Sequence, residues 1–152
     1  MENKTILLVE DNPDDVELTI HAFKKNNITN EVKVVYDGAE ALDFLFGKGA
    51  YSDRDLNEMP TLILLDIKLP KIDGLEVLRQ IRSNDLTRLL PVVILTSSKE
   101  EQDIISSYSL GVNSYVRKPV SFSQFAQAVN NLGLYWLILN EGPPVKKNSP
   151  HK

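Results

Sequence analysis

The sequence predicts an α/β fold in which one doubly wound parallel sheet of five strands is covered by helices on both faces. Three observations lead to this fold. Short apolar runs recur along the chain, segments with helical spacing separate them, and capping motifs mark several helix starts. Strands that alternate with helices of about 10 to 15 residues are typical of right-handed βαβ units, which build a parallel sheet.

Five β-branched or apolar runs are the predicted strands. The uninterrupted apolar character of runs such as TLILL and VVIL predicts strands that are buried on both faces, as in a parallel sheet. The predicted strands are Ile6–Val9, Val32–Tyr36, Thr61–Leu65, Val92–Leu95 and Ser114–Val116.

Helices are predicted between the strands from apolar residues at intervals of three and from capping signals. The periodic apolar residues are Ala39, Leu42 and Leu45 in one segment and Leu75, Leu78 and Ile81 in another. The predicted starts are Asn12-Pro13, Asp37 with Glu40, Asp73-Gly74, Ser98 with Glu101, and Ser121 with Gln124.

Two polar segments interrupt this alternation. Residues 47–60 (GKGAYSDRDLNEMP) predict an exposed loop, or a loop with one extra turn. Residues 140–152 contain three prolines and little apolar content, which predicts a disordered tail. We therefore expect one domain over residues 1–139, with no second domain.

Composition excludes several classes of protein. No apolar run approaches the roughly 18 residues that a membrane helix needs, and the N-terminus lacks a secretory signal. The formal net charge of −4 argues against non-specific binding to nucleic acid. The chain has no cysteine, hence no disulfide framework. We expect a soluble, cytoplasmic protein.

Charged and hydroxyl side chains follow four of the five predicted strands. Glu10 and Asp11 end the first strand, Asp66 the third and Thr96 the fourth, and Lys118 follows the fifth. Ligands of open α/β sheets bind beyond the carboxyl ends of the strands, so we expect these side chains to lie together.

This set of residues fits phosphoryl chemistry at a metal. Carboxylates that converge repel one another, and a hard divalent cation with oxygen ligands, such as Mg²⁺, relieves that repulsion. Both histidines, His21 and His151, lie elsewhere, which argues against zinc. A carboxylate beside Mg²⁺ can attack phosphorus, with Lys118 and Thr96 contacting the phosphoryl oxygens.

The pattern resembles the receiver domains of two-component response regulators. The matching segments are Glu10-Asp11 after ILLV, Asp66 in LILLDIKLPKIDG, Thr96 in PVVILTSS, and Tyr115–Pro119 (YVRKP). Their order and spacing agree from Lys4 to about Leu139. The resemblance implies a flavodoxin-like sheet with strand order 2-1-3-4-5.

The resemblance also implies a role for each residue. Asp66 would be the phosphoacceptor of a signalling switch that catalyses its own phosphorylation and slow autodephosphorylation. The implied Mg²⁺ ligands are Asp11 directly, Glu10 through water, Asp66, and the backbone carbonyl of Lys68. Thr96 and Lys118 would contact the phosphoryl group, the peptide from Lys118 to Pro119 would be cis, and Tyr115 with Thr96 would form the conformational switch.

The expected partners follow from the same resemblance. A histidine kinase would donate the phosphoryl group, and the long loop with the YWLILN ending resembles stand-alone receivers that partner phytochrome-type kinases. With no output domain expected, the signal would pass by protein contact through the helix after the fourth strand and the last helix. That last helix carries apolar residues outside its main face, which predicts a dimer or partner surface at Leu134, Tyr135, Leu137 and Ile138.

Other interpretations remain open at this stage. Asp11 could simply favour the helix dipole, and we interpret Asp14 and Asp15 as first-turn acids with no role at the metal. A Mg²⁺-dependent phosphatase of the haloacid dehalogenase type also uses an aspartate nucleophile, but it needs a second aspartate where this chain has Lys68. A flavodoxin-like cofactor binder needs a glycine- and hydroxyl-rich loop after the first strand, where this chain has acidic residues.

Overall fold

The computed structural model describes residues 4–25, 27–97, 100–118 and 123. The strands are β1 (Ile6–Val9), β2 (Val32–Val35), β3 (Leu62–Leu65), β4 (Val92–Thr96) and β5 (Ser114–Arg117). The α-helices within these ranges are α1 (Pro13–Lys25), α2 (Gly38–Phe46), α3 (Gly74–Ser83) and α4 (Glu101–Ser109). Each predicted strand is present within one residue of its expected bounds.

The five strands form one parallel sheet in the order β2-β1-β3-β4-β5. Ile6 of β1 aligns with Val32 on one side and with Leu62 on the other, so β1 lies between β2 and β3. The order reverses at this point, which leaves a crevice beyond the carboxyl ends of β1 and β3. The predicted fold class and strand order are both confirmed.

Alternate residues of β1 face two separate apolar layers. Ile6 and Leu8 pack with Val16 and Phe23 of α1 on one face of the sheet. On the other face, Leu7 and Val9 pack with residues of α2 and α3, including Ala41, Leu42, Leu45, Leu78 and Ile81. Because all four residues of β1 and of β3 are buried, the sheet is covered on both sides, as their continuous apolar character predicts.

Three helix starts follow the predicted capping pattern. The Asn12 side chain accepts a hydrogen bond from the backbone N–H of Asp14 at 2.9 Å. Asp37 and Asp73 are the N-caps of α2 and α3, and their carboxylates accept the N–H groups of the residues three positions later, at 2.7 and 3.0 Å. These bonds satisfy donors that the helix itself leaves without a partner, so short polar residues fix where each helix begins.

The predicted start of α4 is wrong by about two residues. The motif Ser98 with Glu101 predicts Ser98 as the N-cap, but α4 begins at Glu101 with Glu100 at the capping position and no side-chain cap. The backbone of Glu100 is extended, with φ −71° and ψ 127°, so the helix cannot include it. Ser98 itself and the motif from Ser121 to Gln124 lie outside the described residues, apart from Ser123.

The loop over residues 47–60 contains one 3₁₀ turn at Gly49–Tyr51, as expected. Arg54 holds it in place, because its guanidinium donates hydrogen bonds to the backbone carbonyls of Phe44, Leu45 and Glu58. The guanidinium also stacks 4.3 Å from the centre of the Phe44 ring. This long connection is therefore attached to the end of α2.

Several expectations concern residues beyond this description. The tail at 140–152, the interface residues Leu134, Tyr135, Leu137 and Ile138, and Pro119 all lie outside the described residues. The domain bounds 1–139 stay a prediction. Of the helices that are described, none is both long and apolar enough to cross a membrane.

Candidate functional site

The predicted site residues lie at the carboxyl edge of the sheet. Glu10 and Asp11 directly follow β1, Asp66 follows β3, Thr96 is the last residue of β4, and Lys118 follows β5. Parallel strands place all of these positions at the same edge, and the reversal of strand order between β1 and β3 opens the space between them. The sheet therefore positions each of these side chains.

Three carboxylates meet in this crevice. Glu10, Asp11 and Asp66 each offer an oxygen, and these oxygens all lie within 4.8 Å of one another. Glu10 and Asp66 are buried, at 3% and 6% exposure, whereas Asp11 is exposed. Two like charges about 4 Å apart cost roughly 4 kcal/mol at an effective dielectric near 20, so the cluster requires nearby positive charge.

Lys118 supplies positive charge to this cluster. Its ammonium group donates hydrogen bonds to Glu10, to Asp66 Oδ2 at 2.9 Å, and to Asp15 Oδ2 at 3.0 Å. Its side chain is only 11% exposed. An ammonium group has three donors, and here all three go to carboxylates.

Burial and hydrogen bonding set the pKa values of Glu10 and Lys118. Burial raises the pKa of Glu10 to about 7; the hydrogen bond from Lys118 opposes this effect, and the charge of Asp66 adds to it. Burial alone would lower the pKa of Lys118, but its hydrogen bonds with Glu10 and Asp66 raise that pKa above its ordinary value. Three carboxylates meet beside one ammonium, so a further positive charge would reduce the repulsion between them.

The donor set fits a hard divalent cation. The cluster offers carboxylate oxygens, which are the ligands of Mg²⁺, Mn²⁺ and Ca²⁺, and it contains no histidine or cysteine. One face of it, at Asp11, is open to solvent, which leaves room for water or for a substrate oxygen. The residues Glu10, Asp11 and Asp66 could hold such an ion.

Close backbone packing brings the acids together. The N–H of Asp66 donates to the carbonyl of Val9 at 3.1 Å, which joins the ends of β1 and β3. The backbone of Gly74 lies against that of Asp66, so closely that a Cβ there would be 2.0 Å from the Asp66 carbonyl oxygen. Any side chain at Gly74 would therefore displace the loop that carries Asp66.

The other predicted site residues belong to β4 and β5 and to the loop after β3. Thr96 is fully buried, and its backbone carbonyl accepts a hydrogen bond from the N–H of Lys118 at 2.9 Å. Tyr115 is half-buried in β5, where it aligns with Ile94 of β4. The Lys68 side chain is exposed and forms an ion pair with Asp103 of α4 at 3.9 Å.

Two residues of the site were missed in the sequence. Asp15 was interpreted as a first-turn acid, but its carboxylate contacts Lys118. Asp14 and Asp15 are neighbouring acids in the first turn of α1, and nothing local in the sequence indicates which of them contacts Lys118. Gly74 was interpreted as part of a helix entry, and nothing local in the sequence indicates how close it comes to Asp66.

The similarity of the chain to known proteins agrees with this geometry. A family model described as the response regulator receiver domain matches residues 6–130. The response regulator Rcp1 of Synechocystis sp. is 40% identical over 134 residues, which cover 88% of this chain and 89% of Rcp1.

Solved structures of similar sequence have the same fold. The bacteriophytochrome response regulator AtBRR is 54% identical, with a TM-score of 0.82, over 93% of this chain and 100% of AtBRR. The Mn²⁺-bound form of Rcp1 is 39% identical, with a TM-score of 0.74, over 93% of this chain and 99% of Rcp1. The phosphorylated cyanobacterial phytochrome response regulator RcpA is 42% identical, with a TM-score of 0.73, over 89% of this chain and 94% of RcpA.

Proposed function

This chain belongs to the response regulator receiver domain family, and on that basis we propose that Asp66 accepts a phosphoryl group from a histidine kinase. It is a receiver of two-component signalling, homologous to phytochrome response regulators, and a signalling switch rather than a conventional enzyme. The observation that carries the assignment of Asp66 is its position: a buried carboxylate beside two other acids and within hydrogen-bond distance of Lys118.

The proposed reaction transfers phosphorus from nitrogen to oxygen. An oxygen of Asp66 forms a bond to phosphorus while the bond from phosphorus to the imidazole nitrogen of the kinase histidine breaks. The leaving nitrogen keeps the electron pair of that bond, and because the other ring nitrogen carries a proton, the ring departs as neutral imidazole. Such a transfer depends mainly on alignment and charge neutralisation, which the buried setting of Asp66 and the ammonium of Lys118 support. The same residues would allow the chain to promote its own phosphorylation and slow dephosphorylation.

We propose Glu10, Asp11, Asp66 and the backbone carbonyl of Lys68 as the residues that hold a divalent cation, with Mg²⁺ as the physiological ion. The geometry supports the three carboxylates, and the Mn²⁺-bound form of Rcp1 supports a divalent metal in this family. When bound, the cation would neutralise charge on the phosphoryl oxygens. On the basis of the family resemblance, we assign Asp11 a direct contact with the cation and Glu10 a contact through water.

We propose that Thr96 and Tyr115 carry the signal away from Asp66. A phosphoryl group adds about −1.5 to −2 charges at one point, and Thr96 would donate its hydroxyl proton to one of the new oxygens. Thr96 and Tyr115 belong to neighbouring strands, and the carbonyl of Thr96 also accepts from Lys118. A shift of Thr96 would therefore reach β5 and the half-buried Tyr115. A cis peptide between Lys118 and Pro119 would place the lysine.

The proposed partners act through protein contact. A phytochrome-type histidine kinase is the proposed donor, because the similar structures AtBRR and RcpA are phytochrome response regulators. We also propose a homodimer or partner contact at Leu134, Tyr135, Leu137 and Ile138. A cytoplasmic location without nucleic-acid or membrane partners is a further proposal. The exposed Ile105 and Tyr108 of α4 support a readout through that helix.

A haloacid dehalogenase-type phosphatase is not supported. That chemistry needs a general acid two residues after the nucleophile, and Lys68 occupies this position with its side chain paired to Asp103. The family match and the sheet order are those of a receiver. We expect no rapid multiple turnover of p-nitrophenyl phosphate.

The direct test is phosphorylation by a small donor followed by intact mass measurement. Incubation with Mg²⁺ and phosphoramidate should add one phosphoryl group, which hydroxylamine should remove. Asp66→Asn should abolish the addition, whereas the matched change Asp53→Asn, at an exposed loop position, should leave it intact. Unchanged labelling of Asp66→Asn, or no labelling of the wild-type protein, would contradict the assignment.

A further inference from the structure

Asp15 contacts the same ammonium group as the predicted phosphoacceptor. Its Oδ2 lies 3.0 Å from Lys118 Nζ, and Asp66 Oδ2 lies 2.9 Å from that atom. The Asp15 side chain is 31% exposed, and that of Lys118 is 11% exposed. Asn12 fixes the first turn of α1 through its bonds to the N–H groups of Asp14 and Asp15, so the position of Asp15 is set by the helix start.

The three carboxylates that contact Lys118 differ in their surroundings. Glu10 and Asp66 belong to the carboxylate cluster that could hold a cation, and Asp15 does not. A divalent cation at the cluster would attract the charges of Glu10 and Asp66 and would repel the ammonium of Lys118. Asp15 is then the carboxylate that still attracts Lys118 toward the site.

We propose that Asp15 is a positioning residue for phosphoryl transfer, which holds the Lys118 ammonium beside Asp66 while a divalent cation occupies the carboxylate cluster. This inference rests on the proposed function of Asp66. Asp15 would set the position of Lys118 and would take no direct part in forming the bond to phosphorus, because it contacts Lys118 and is not a member of the carboxylate cluster. A hydrogen-bond donor that is held in place before the reaction stabilises developing charge better than one that must first move into position.

The chain offers a close control for Asp15. Asp14 is the neighbouring acid in the same helical turn, and it is exposed. A change at Asp14 removes the same charge from the same helix terminus, and the ion pairs of Lys118 do not include it. A difference between Asp15→Ala and Asp14→Ala therefore reports the contact with Lys118 and not the loss of charge or of helix-dipole stabilisation.

The first measurement is the rate of phosphorylation by phosphoramidate, with Mg²⁺ saturating for each variant so that metal affinity does not enter. We expect Asp15→Ala to lower the maximal rate about tenfold, because a misplaced group slows a reaction that depends on alignment. Asp15→Asn should lose only about threefold, since its amide oxygen can still accept from the ammonium. Asp14→Ala should stay within about twofold of the wild-type rate.

The second measurement observes Lys118 directly by ¹⁵N-resolved NMR of lysine ammonium groups, with the signal assigned through Lys118→Arg. A buried, hydrogen-bonded ammonium exchanges its protons slowly enough to be seen, and we expect this signal in wild-type protein with and without Mg²⁺. In Asp15→Ala the signal should be present without Mg²⁺ and lost when Mg²⁺ is added. A purely structural role for Asp15 would not make the signal depend on the metal.

The outcomes separate this inference from the proposed function. If wild-type protein is phosphorylated on Asp66 but Asp15→Ala keeps the wild-type rate or the Mg²⁺-resistant ammonium signal, the role of Asp15 is wrong and that of Asp66 stands. An equal loss in Asp14→Ala would also overturn the role of Asp15. If the wild-type protein takes up no phosphoryl group, the proposed function itself fails.

Discussion

Two cations at opposite edges of the sheet each connect several elements, but with different partners. Lys118, at the carboxyl edge, donates to the carboxylates of Glu10, Asp15 and Asp66. Arg82 of α3 lies at the amino edge, where its guanidinium donates to the backbone carbonyls of Arg88, Leu90 and Gly111 and to the side-chain oxygen of Asn113. The first cation faces full charges, and the second faces neutral dipoles.

The two environments shift the pKa values of the two cations in opposite directions. Burial lowers the pKa of Arg82, whose hydrogen-bond acceptors are all neutral. At Lys118 burial has the same effect, but hydrogen bonds with Glu10 and Asp66 outweigh it and raise the pKa. Carbonyls fixed by the backbone hold a guanidinium in one arrangement, whereas crowded carboxylates can exchange their partners when another cation or a phosphoryl group arrives.

This difference distinguishes a structural cation from a functional one. Arg82 fastens the loops that precede β4 and β5, and Asn113 extends the network by accepting the N–H of Val92 at 2.9 Å. Nothing in that arrangement would change with ligand. At Lys118 the stability of the site depends on which charges are present. We therefore expect bound metal and substitution of nearby acids to change the stability of the Lys118 site and to leave that of the Arg82 site unchanged.

The largest expected effect is loss of stability on replacing Arg82. Arg82→Ala removes the side-chain donor to three carbonyls and one of the two donors to the Asn113 oxygen, and we expect a loss of about 3 kcal/mol in the free energy of unfolding. Urea unfolding measures this loss. Arg88→Ala is the control, because its ion pair with Asp85 is exposed and should contribute less than about 0.5 kcal/mol. If folded Arg82→Ala no longer bound Mg²⁺, the amino and carboxyl edges of the sheet would not act independently.

The next effect is stabilisation by metal at the carboxyl edge alone. A cation that binds only the folded protein, at ten times its dissociation constant, should raise the free energy of unfolding by about 1.4 kcal/mol. Thermal unfolding with increasing Mg²⁺ measures this gain. Asp11→Asn should lose most of it, and Arg82→Ala should retain it. A gain of equal size in Asp11→Asn would place the bound metal elsewhere.

A smaller expected effect is a gain in stability, whereas most mutations destabilise a protein. Asp66→Asn removes one of the crowded negative charges, and without metal we expect the protein to gain about 1 kcal/mol in stability. Asp53→Asn, at an exposed loop position, should change stability by less than about 0.5 kcal/mol. Urea unfolding in the presence of a chelator distinguishes these variants. Destabilisation by Asp66→Asn would mean that its bond to Lys118 outweighs the repulsion.

The fold could be predicted from the sequence because local and global signals agree. The β-branched and apolar runs predicted each strand within one residue, and the capping residues Asp37 and Asp73 predicted the starts of α2 and α3. The start of α4 was misplaced by about two residues, because Glu100 is extended and is the capping residue although its side chain makes no cap bond, so a capping motif did not mark this helix start.

The site was predictable as a set of residues and not as a set of contacts. The ends of the strands predicted that Glu10, Asp11, Asp66 and Lys118 would meet, because parallel strands share one carboxyl edge. Asp15 could not be separated from Asp14 by composition, since both are first-turn acids and only the direction of the helix turns one of them toward Lys118. The role of each residue in phosphoryl transfer stays a prediction.

The smallest effect concerns Lys68, a cation at the functional edge whose ammonium is exposed and whose partner Asp103 is largely buried. Its Nζ lies 3.9 Å from Asp103, and its side chain is 65% exposed, so Lys68→Met should cost only about 0.3 kcal/mol. Lys71→Met is a matched control, because Lys71 is 69% exposed and pairs with Asp37 at 3.5 Å. The substitution Lys68→Met leaves the backbone carbonyl of Lys68 in place. If that carbonyl is the only contribution of Lys68 to metal binding, the Mg²⁺ concentration at half-saturation should change less than about twofold. A cost above about 1 kcal/mol for Lys68→Met alone would show that its pair with Asp103 fastens α4 to the loop after Asp66, since exposed pairs seldom contribute that much.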